Sequence, residues 1–195
     1  MTYRDGAPAL PKPAKRRRNP AAAIAHRVHA RDWVSLLPDL LRAALPEPLR
    51  DFRVRGPRHS LIGFYYGADE RIHYEVWVQP RTGMLEVGLH FEAEPERNLA
   101  LLEALAAHIE AIMAALGPRV EGEQWTKRWT RLHETRPLEP LSTDYAGRIA
   151  ARVAQYIRAL EPLLRVQRGA QDRVRPHQPP PVTRRAPTVS AVRPS

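Results

Sequence analysis

Two histidines and two glutamates are spaced so that they could meet on one face of a β-hairpin. His73 and Glu75 are two residues apart, and so are His90 and Glu92. Imidazole nitrogens and carboxylate oxygens bind zinc and other divalent ions, and the same groups act as general acids and bases. One hypothesis is therefore a metal-dependent enzyme that uses these four side chains. The alternative is a polar sheet face without chemistry, either open to solvent or covered by another helix with a paired histidine.

The hairpin that would position these groups is the clearest structural pattern in the sequence. Apolar and polar residues alternate over residues 72–79 and again over 84–91, which is typical of half-buried strands. The four-residue loop between them ends in Gly83, which suits a type I turn followed by a left-handed residue. The register this predicts places His73 opposite His90. Its apolar pairs are Ile72–Phe91, Tyr74–Leu89, Val76–Val87 and Val78–Leu85, and a slip of one residue would break them all.

A second candidate site is a segment rich in tryptophan and basic residues. Residues 120–133 are predicted to be a strand, although the spacing of Trp125, Trp129 and Leu132 also fits a helix. If the segment is a strand, Trp125, Lys127, Trp129 and Arg131 share one face. Proteins that bind single-stranded nucleic acid interleave aromatic and basic side chains in this way, because the rings stack on bases and the cations follow the phosphates. The alternative is two core tryptophans covered by long basic side chains.

Positive charge is concentrated at the two ends of the chain. The net charge is +10, of which residues 1–19 carry +5 and residues 167–195 carry +5, so that residues 20–166 are neutral. We refer to the two end segments as the basic tails. Such tails bind polyanions with a strong dependence on salt, although they could also bind an acidic protein or only keep the chain soluble. The predicted nucleic-acid contacts in the tails are Lys15, Arg16, Arg17, Arg18, Arg184 and Arg185.

The composition limits the class of protein. The chain has no cysteine, which excludes disulfides and cysteine sites and suits a reducing compartment. No apolar run approaches the roughly 20 residues that cross a bilayer, and no apolar region follows the basic N-terminus. The abundance of alanine, arginine and proline, with only three lysines, indicates a GC-rich bacterial genome. We therefore expect a bacterial cytoplasmic protein without membrane contact.

The order of the predicted elements indicates an α+β fold. We expect one domain over residues 20–166, in which an antiparallel sheet of three to five strands packs one face against long amphipathic helices. Residues 1–19 and 167–195, rich in proline and arginine, are predicted to be disordered. None of the common enzyme motifs is present, namely the P-loop, GxGxxG, GxSxG or HExxH. We predict no cofactor and no catalytic residue.

The element boundaries rest on proline, glycine and capping residues. Pro38 predicts a break near the middle of the first apolar stripe. A short strand over Phe52–Arg55 is predicted to end at Gly56-Pro57. One continuous amphipathic helix is expected over residues 95–116. Ser142 is the predicted N-cap of a long final helix.

Part of the sequence resembles an uncharacterised bacterial family, one of the domains of unknown function. The resemblance covers residues 72–165 and rests on Glu96-Arg97-Asn98, His108-Ile109-Glu110, Leu116-Gly117 and a strand bearing Trp125. The family implies no established activity, so no functional residue can be transferred from it. The overall prediction is a non-catalytic bacterial interaction module whose basic tails contact nucleic acid or an acidic partner. The metal-dependent enzyme is the alternative.

Overall fold

The fold combines helices with a six-stranded antiparallel sheet, which confirms the predicted α+β class and adds one strand to the predicted maximum of five. The structure is a computed structural model that describes residues 28–174. The tail residues proposed to contact nucleic acid, Lys15 to Arg18, Arg184 and Arg185, lie outside the described residues, as does the predicted N-terminal tail of residues 1–19.

The sheet is built from a four-stranded meander and a separate hairpin. Its strand order is β1-β2-β3-β4-β6-β5, and every neighbouring pair is antiparallel. The elements along the chain are α1 (Ala30–Val34), α2 (Leu37–Ala44), a 3-10 turn (Glu47–Leu49), β1 (Arg53–Arg58), β2 (Leu61–Tyr65), β3 (Ile72–Gln79), β4 (Met84–Phe91), α3 (Pro95–Ala106), α4 (Ile109–Leu116), β5 (Glu121–Gln124), β6 (Thr130–Pro137) and α5 (Thr143–Val174).

The β3–β4 hairpin has the predicted register. His73 pairs with His90, and the four apolar pairs are those expected from the alternation. Gly83 closes the turn at φ 68°, where a residue with a side chain would be strained. The even-numbered residues of β3 therefore face the core, and the odd-numbered residues lie on the opposite side of the sheet.

The helices pack on the core face of the sheet. The residues of α5 that face the core recur every three or four positions, as in any amphipathic helix. They are Tyr145, Ile149, Val153, Tyr156, Leu160 and Leu164. Ser142 caps this helix as predicted, because its hydroxyl accepts a hydrogen bond from the Tyr145 backbone N–H at 3.1 Å. The break predicted near Pro38 is also present, since α1 ends at Val34 and α2 begins at Leu37.

Three predicted boundaries were wrong. The expected helix over 95–116 is two helices, α3 and α4, bent by 75° at residues 107–108. The β1 strand continues through Gly56-Pro57 because a register shift, with Gly56 at φ 102°, absorbs the proline. Helix α5 contains Pro162 and runs past residue 166 to Val174, into the segment predicted to be a tail.

No helix within residues 28–174 is by itself long and apolar enough to span a membrane. The bent pair of α3 and α4 reaches that length and composition only when the two helices are taken together.

Candidate nucleic-acid interface

The face of the sheet opposite the helices carries a buried layer of histidine and glutamate side chains. We call it the polar face and define it by His73, Glu75, Glu86 and His90. The rings of His73 and His90 stack with centroids 5.7 Å apart, and both residues are 0% exposed. The polar face is therefore covered, and a face open to solvent, one of the two non-catalytic alternatives, is wrong.

The four residues of the predicted metal site are only partly brought together. Glu75 lies between the histidines, with its carboxylate oxygens 3.2 Å from His73 Nε2 and 4.0 Å from His90 Nε2. Glu92 instead accepts a hydrogen bond from Arg55 at 2.9 Å. In the part of the chain that the structure describes, no three His, Asp or Glu side chains are grouped so that they could hold a metal ion. The metal site and the enzyme built on it stay predictions.

An ionic network extends the polar face across strands β4, β6 and β5. Glu86 Oε1 accepts hydrogen bonds from His90 Nε2 at 3.1 Å and from Arg131 Nη1 at 2.8 Å. Arg131 also binds Glu123 at 2.6 Å, and His133 Nε2 lies 3.2 Å from the same carboxylate. We assign the ring proton of His90 to Nε2, because its Nδ1 is buried without a hydrogen-bond partner within residues 28–174.

Sequence reasoning missed the partners Arg55, Glu86, Glu123 and His133. Glu86 could have been predicted from the sequence, because the hairpin register alone places it on the same face as His90. The others required the pairing of β4 with β6 and of β1 with β2. The pairing of β4 with β6 leaves no room for a side chain at Gly88, where an added Cβ would lie 2.6 Å from the Cβ of His133.

Burial and neighbouring charge act in opposite directions on the two groups at the centre of this network. Burial alone would raise the pKa of Glu86, but the hydrogen bond from His90, the positive charge of Arg131 and the neighbouring imidazoles of His90 and His133 outweigh it and lower the pKa. Burial lowers the pKa of His133, and the adjacent Arg131 lowers it further, against the opposing effect of Glu86 and Glu123. His133 is therefore neutral in the folded protein near neutral pH.

We expect His133 to make the fold less stable in mild acid. A histidine whose folded pKa lies below the unfolded value of about 6.5 binds more protons when unfolded. Stability should therefore fall as pH drops below about 6.5, whereas the contribution of Glu86 is lost only below about 4.5, the range set by its ordinary pKa. The measurement is urea unfolding at pH 7.5, 6.5 and 5.5. The variant His133→Gln should show a smaller loss over this range, and an identical loss in both proteins would contradict the assignment.

The tryptophan-rich segment is a loop and not the predicted strand. Residues 125–129, here called the Trp125 loop, connect β5 to β6. The Thr126 hydroxyl causes the turn, because it accepts hydrogen bonds from the backbone N–H groups of Arg128 at 3.2 Å and Trp129 at 2.9 Å. A threonine in a polar stretch is a known turn signal that the strand interpretation overlooked.

The loop is held against the domain by hydrogen bonds from both sides. The Gln124 side chain donates to the carbonyl of Lys127 at 3.2 Å, and Asn98 Nδ2, from helix α3, donates to the carbonyl of Arg128 at 2.8 Å. The Trp125 ring meets His90 edge-on at 5.7 Å and lies under the guanidinium of Arg131 at 4.7 Å. The loop is thus organised before any ligand arrives.

The loop combines a partly open aromatic cluster with exposed cations. Trp125 is 37% exposed, and its ring lies 6.0 Å from that of Trp129 and 6.5 Å from that of Trp77. Lys127 and Arg128 are exposed at the tip. Arg131, by contrast, is 9% exposed and ion-paired with Glu86 and Glu123, so its contact with nucleic acid stays a prediction.

Comparison with protein-family models, with curated proteins and with solved structures finds no match to this chain. The resemblance to a bacterial domain of unknown function therefore stays a prediction.

Proposed function

We propose that the protein is a non-catalytic module that binds single-stranded nucleic acid through the Trp125 loop and the basic tails. The observation that carries the proposal is a pre-organised loop that presents an exposed tryptophan beside two exposed cations. An unpaired base can stack on the Trp125 ring while Lys127 and Arg128 approach the neighbouring phosphates. A duplex keeps its bases paired and stacked and offers the ring no such contact.

The division of charge supports separate roles for the domain and the tails. Residues 20–166 are neutral, so the domain by itself attracts polyanions weakly, whereas the tails carry the entire excess of +10. The tails would supply affinity that depends on salt and not on sequence. The Trp125 loop would supply the preference for unpaired bases. An acidic protein partner for the tails is the competing assignment.

The test is binding of the full chain to a 20-nucleotide single strand and to a duplex of the same sequence. Stacking contributes about 1–3 kcal/mol per base by alanine substitution, so Trp125→Ala should weaken single-strand binding about 5- to 150-fold. Duplex binding, which depends on the tails, should not change. Fluorescence anisotropy at 50 and 200 mM salt measures both.

Two control variants separate stacking from charge. Trp125→Phe keeps an aromatic face and should retain most of the single-strand affinity. The second variant changes six tail residues to glutamine: Lys15, Arg16, Arg17, Arg18, Arg184 and Arg185. It should weaken the binding of both the single strand and the duplex and reduce the salt dependence of that binding. Equal single-strand binding by Trp125→Ala and the parent chain would refute the role of the loop. No binding of any nucleic acid by the parent chain would refute the function.

A further inference from the structure

A mostly apolar pocket lies at the edge of the sheet formed by β5, on the core face. Its volume is about 310 Å³, at the small end of the range for ligand pockets. Leu105, Ile112 and Leu132 are buried and line its depth. Its open side is formed by Ile109, which is 43% exposed, and by the exposed Gly122.

Gly122 creates this pocket by contributing no side chain to the core face of β5. Its backbone does not require glycine, because its φ lies outside the positive range in which side chains are strained. A Cβ at this position would meet the Cδ1 atoms of Leu102 at 3.3 Å and Leu132 at 3.5 Å, both of them flexible side-chain ends. Glycine inside a strand weakens the strand and often marks close approach by a ligand or another backbone.

The pocket lies beside an unpaired strand edge. Within residues 28–174, β5 is the last strand of the sheet and pairs only with β6. An unpaired edge offers its free N–H and C=O groups to an added strand. Domains that bind peptides by strand addition combine such an edge with a pocket for alternate side chains of the peptide.

We propose that β5 and this pocket bind an extended peptide of a partner protein. The peptide adds to the sheet as a seventh strand and places one apolar side chain in the pocket between α3, α4 and Gly122. Its neighbouring side chains, one position before and after, then project to the opposite face beside Glu121 and Glu123.

The charges at the edge determine which peptide fits. Glu121 lies on β5 and Glu103 lines the pocket, so the site carries two acidic side chains. Glu123, the other carboxylate of β5, is already paired with Arg131 at 2.6 Å. Opposite charges on paired strands stabilise the pair and like charges destabilise it. The favoured peptide therefore alternates an apolar residue with basic residues. A second copy of this chain paired through β5 is disfavoured, because it would bring four glutamates to one junction.

The experiment measures binding of a labelled peptide to the full chain by fluorescence anisotropy. The probe is the synthetic peptide KVKLKVK, and the charge control is EVELEVE. We expect KVKLKVK to bind and EVELEVE not to bind. Gly122→Val, which fills the pocket, should weaken KVKLKVK about tenfold or more, since an aliphatic side chain loses its burial. Gly122→Ala should give a smaller loss.

A matched variant controls for the added side chain. Gly147→Val introduces the same group on α5, where an added Cβ meets nothing within 4 Å, and should bind the peptide like the parent. Equal peptide binding by Gly122→Val and the parent would overturn the proposal, as would no binding by the parent. Binding only after Arg184 and Arg185 are changed to glutamine would also overturn it, because the chain's own tail would then be the occupant. Single-strand binding is measured on Gly122→Val as well, and its retention shows that the Trp125 loop, which begins three residues after Gly122, is intact.

Discussion

Replacing Arg131 with methionine is expected to lower the free energy of unfolding by about 3–5 kcal/mol, the range found when one partner of a buried ion pair is removed. The guanidinium donates to Glu86 at 2.8 Å, and Glu86 is 2% exposed. Without Arg131 this carboxylate keeps a buried charge with weaker compensation from its histidine neighbours. The Trp125 ring also loses its cation at 4.7 Å. Chemical denaturation at pH 7 measures the change.

A double variant distinguishes the buried charge from lost packing. Arg131→Met combined with Glu86→Gln removes the uncompensated carboxylate and should recover most of the lost stability, because an ion pair can often be replaced by groups of similar volume. If the single variant costs less than about 1 kcal/mol, as surface ion pairs do, the network does not hold the polar face together.

Asn98→Asp is expected to lower the free energy of unfolding by about 3 kcal/mol, since the buried Ala93 carbonyl and the partly buried Arg128 carbonyl lose their donor, at about 1–3 kcal/mol for a buried group. Asn98 is 0% exposed. Its Nδ2 donates to the carbonyls of Ala93 at 2.9 Å and Arg128 at 2.8 Å, and an aspartate carboxylate at that position can only accept. The Arg128 contact anchors the Trp125 loop to α3. The variant should therefore also weaken single-strand binding.

Thr130→Val is the matched control for Asn98→Asp. The Thr130 hydroxyl donates to the Asn98 carbonyl at 3.2 Å, so this variant removes one hydrogen bond beside the Trp125 loop. Its removal should cost about 1 kcal/mol and leave nucleic-acid binding unchanged. Equal losses of stability in the two variants would show that the asparagine amide has no special role.

The features that could be predicted from sequence are those fixed by local rules. The β3–β4 register follows from alternation along two strands joined by a four-residue turn, so that His73 opposite His90 needed no knowledge of the rest of the fold. The N-cap at Ser142 is equally local, since its partner Tyr145 lies three residues away. These rules were sufficient to identify the histidine pair.

The parts of the site that sequence reasoning missed depend on distant partners. Arg55 of β1 meets Glu92, the residue after β4, only because the sheet places β2 and β3 between the two strands, and the two residues are 37 apart in sequence. Arg131 appeared free because Glu86, its partner, is 45 residues away. The bend between α3 and α4 has no sequence signal either, because Ala107 and His108 are neither proline nor glycine.

The strand order has a consequence for how the protein folds. Every neighbouring pair of strands except β4–β6 joins segments that are consecutive in the chain. The meander β1–β4 and the hairpin β5–β6 can each form through local contacts, and the β4–β6 junction closes across two intervening helices. Contacts between distant parts of a chain slow folding, because the loop must be closed before they form. The β4–β6 junction is also where Glu86 meets Arg131, so closing this junction is expected to place the paired charges in the interior. Formation of the sheet and formation of the candidate interface are therefore expected to be one kinetic event.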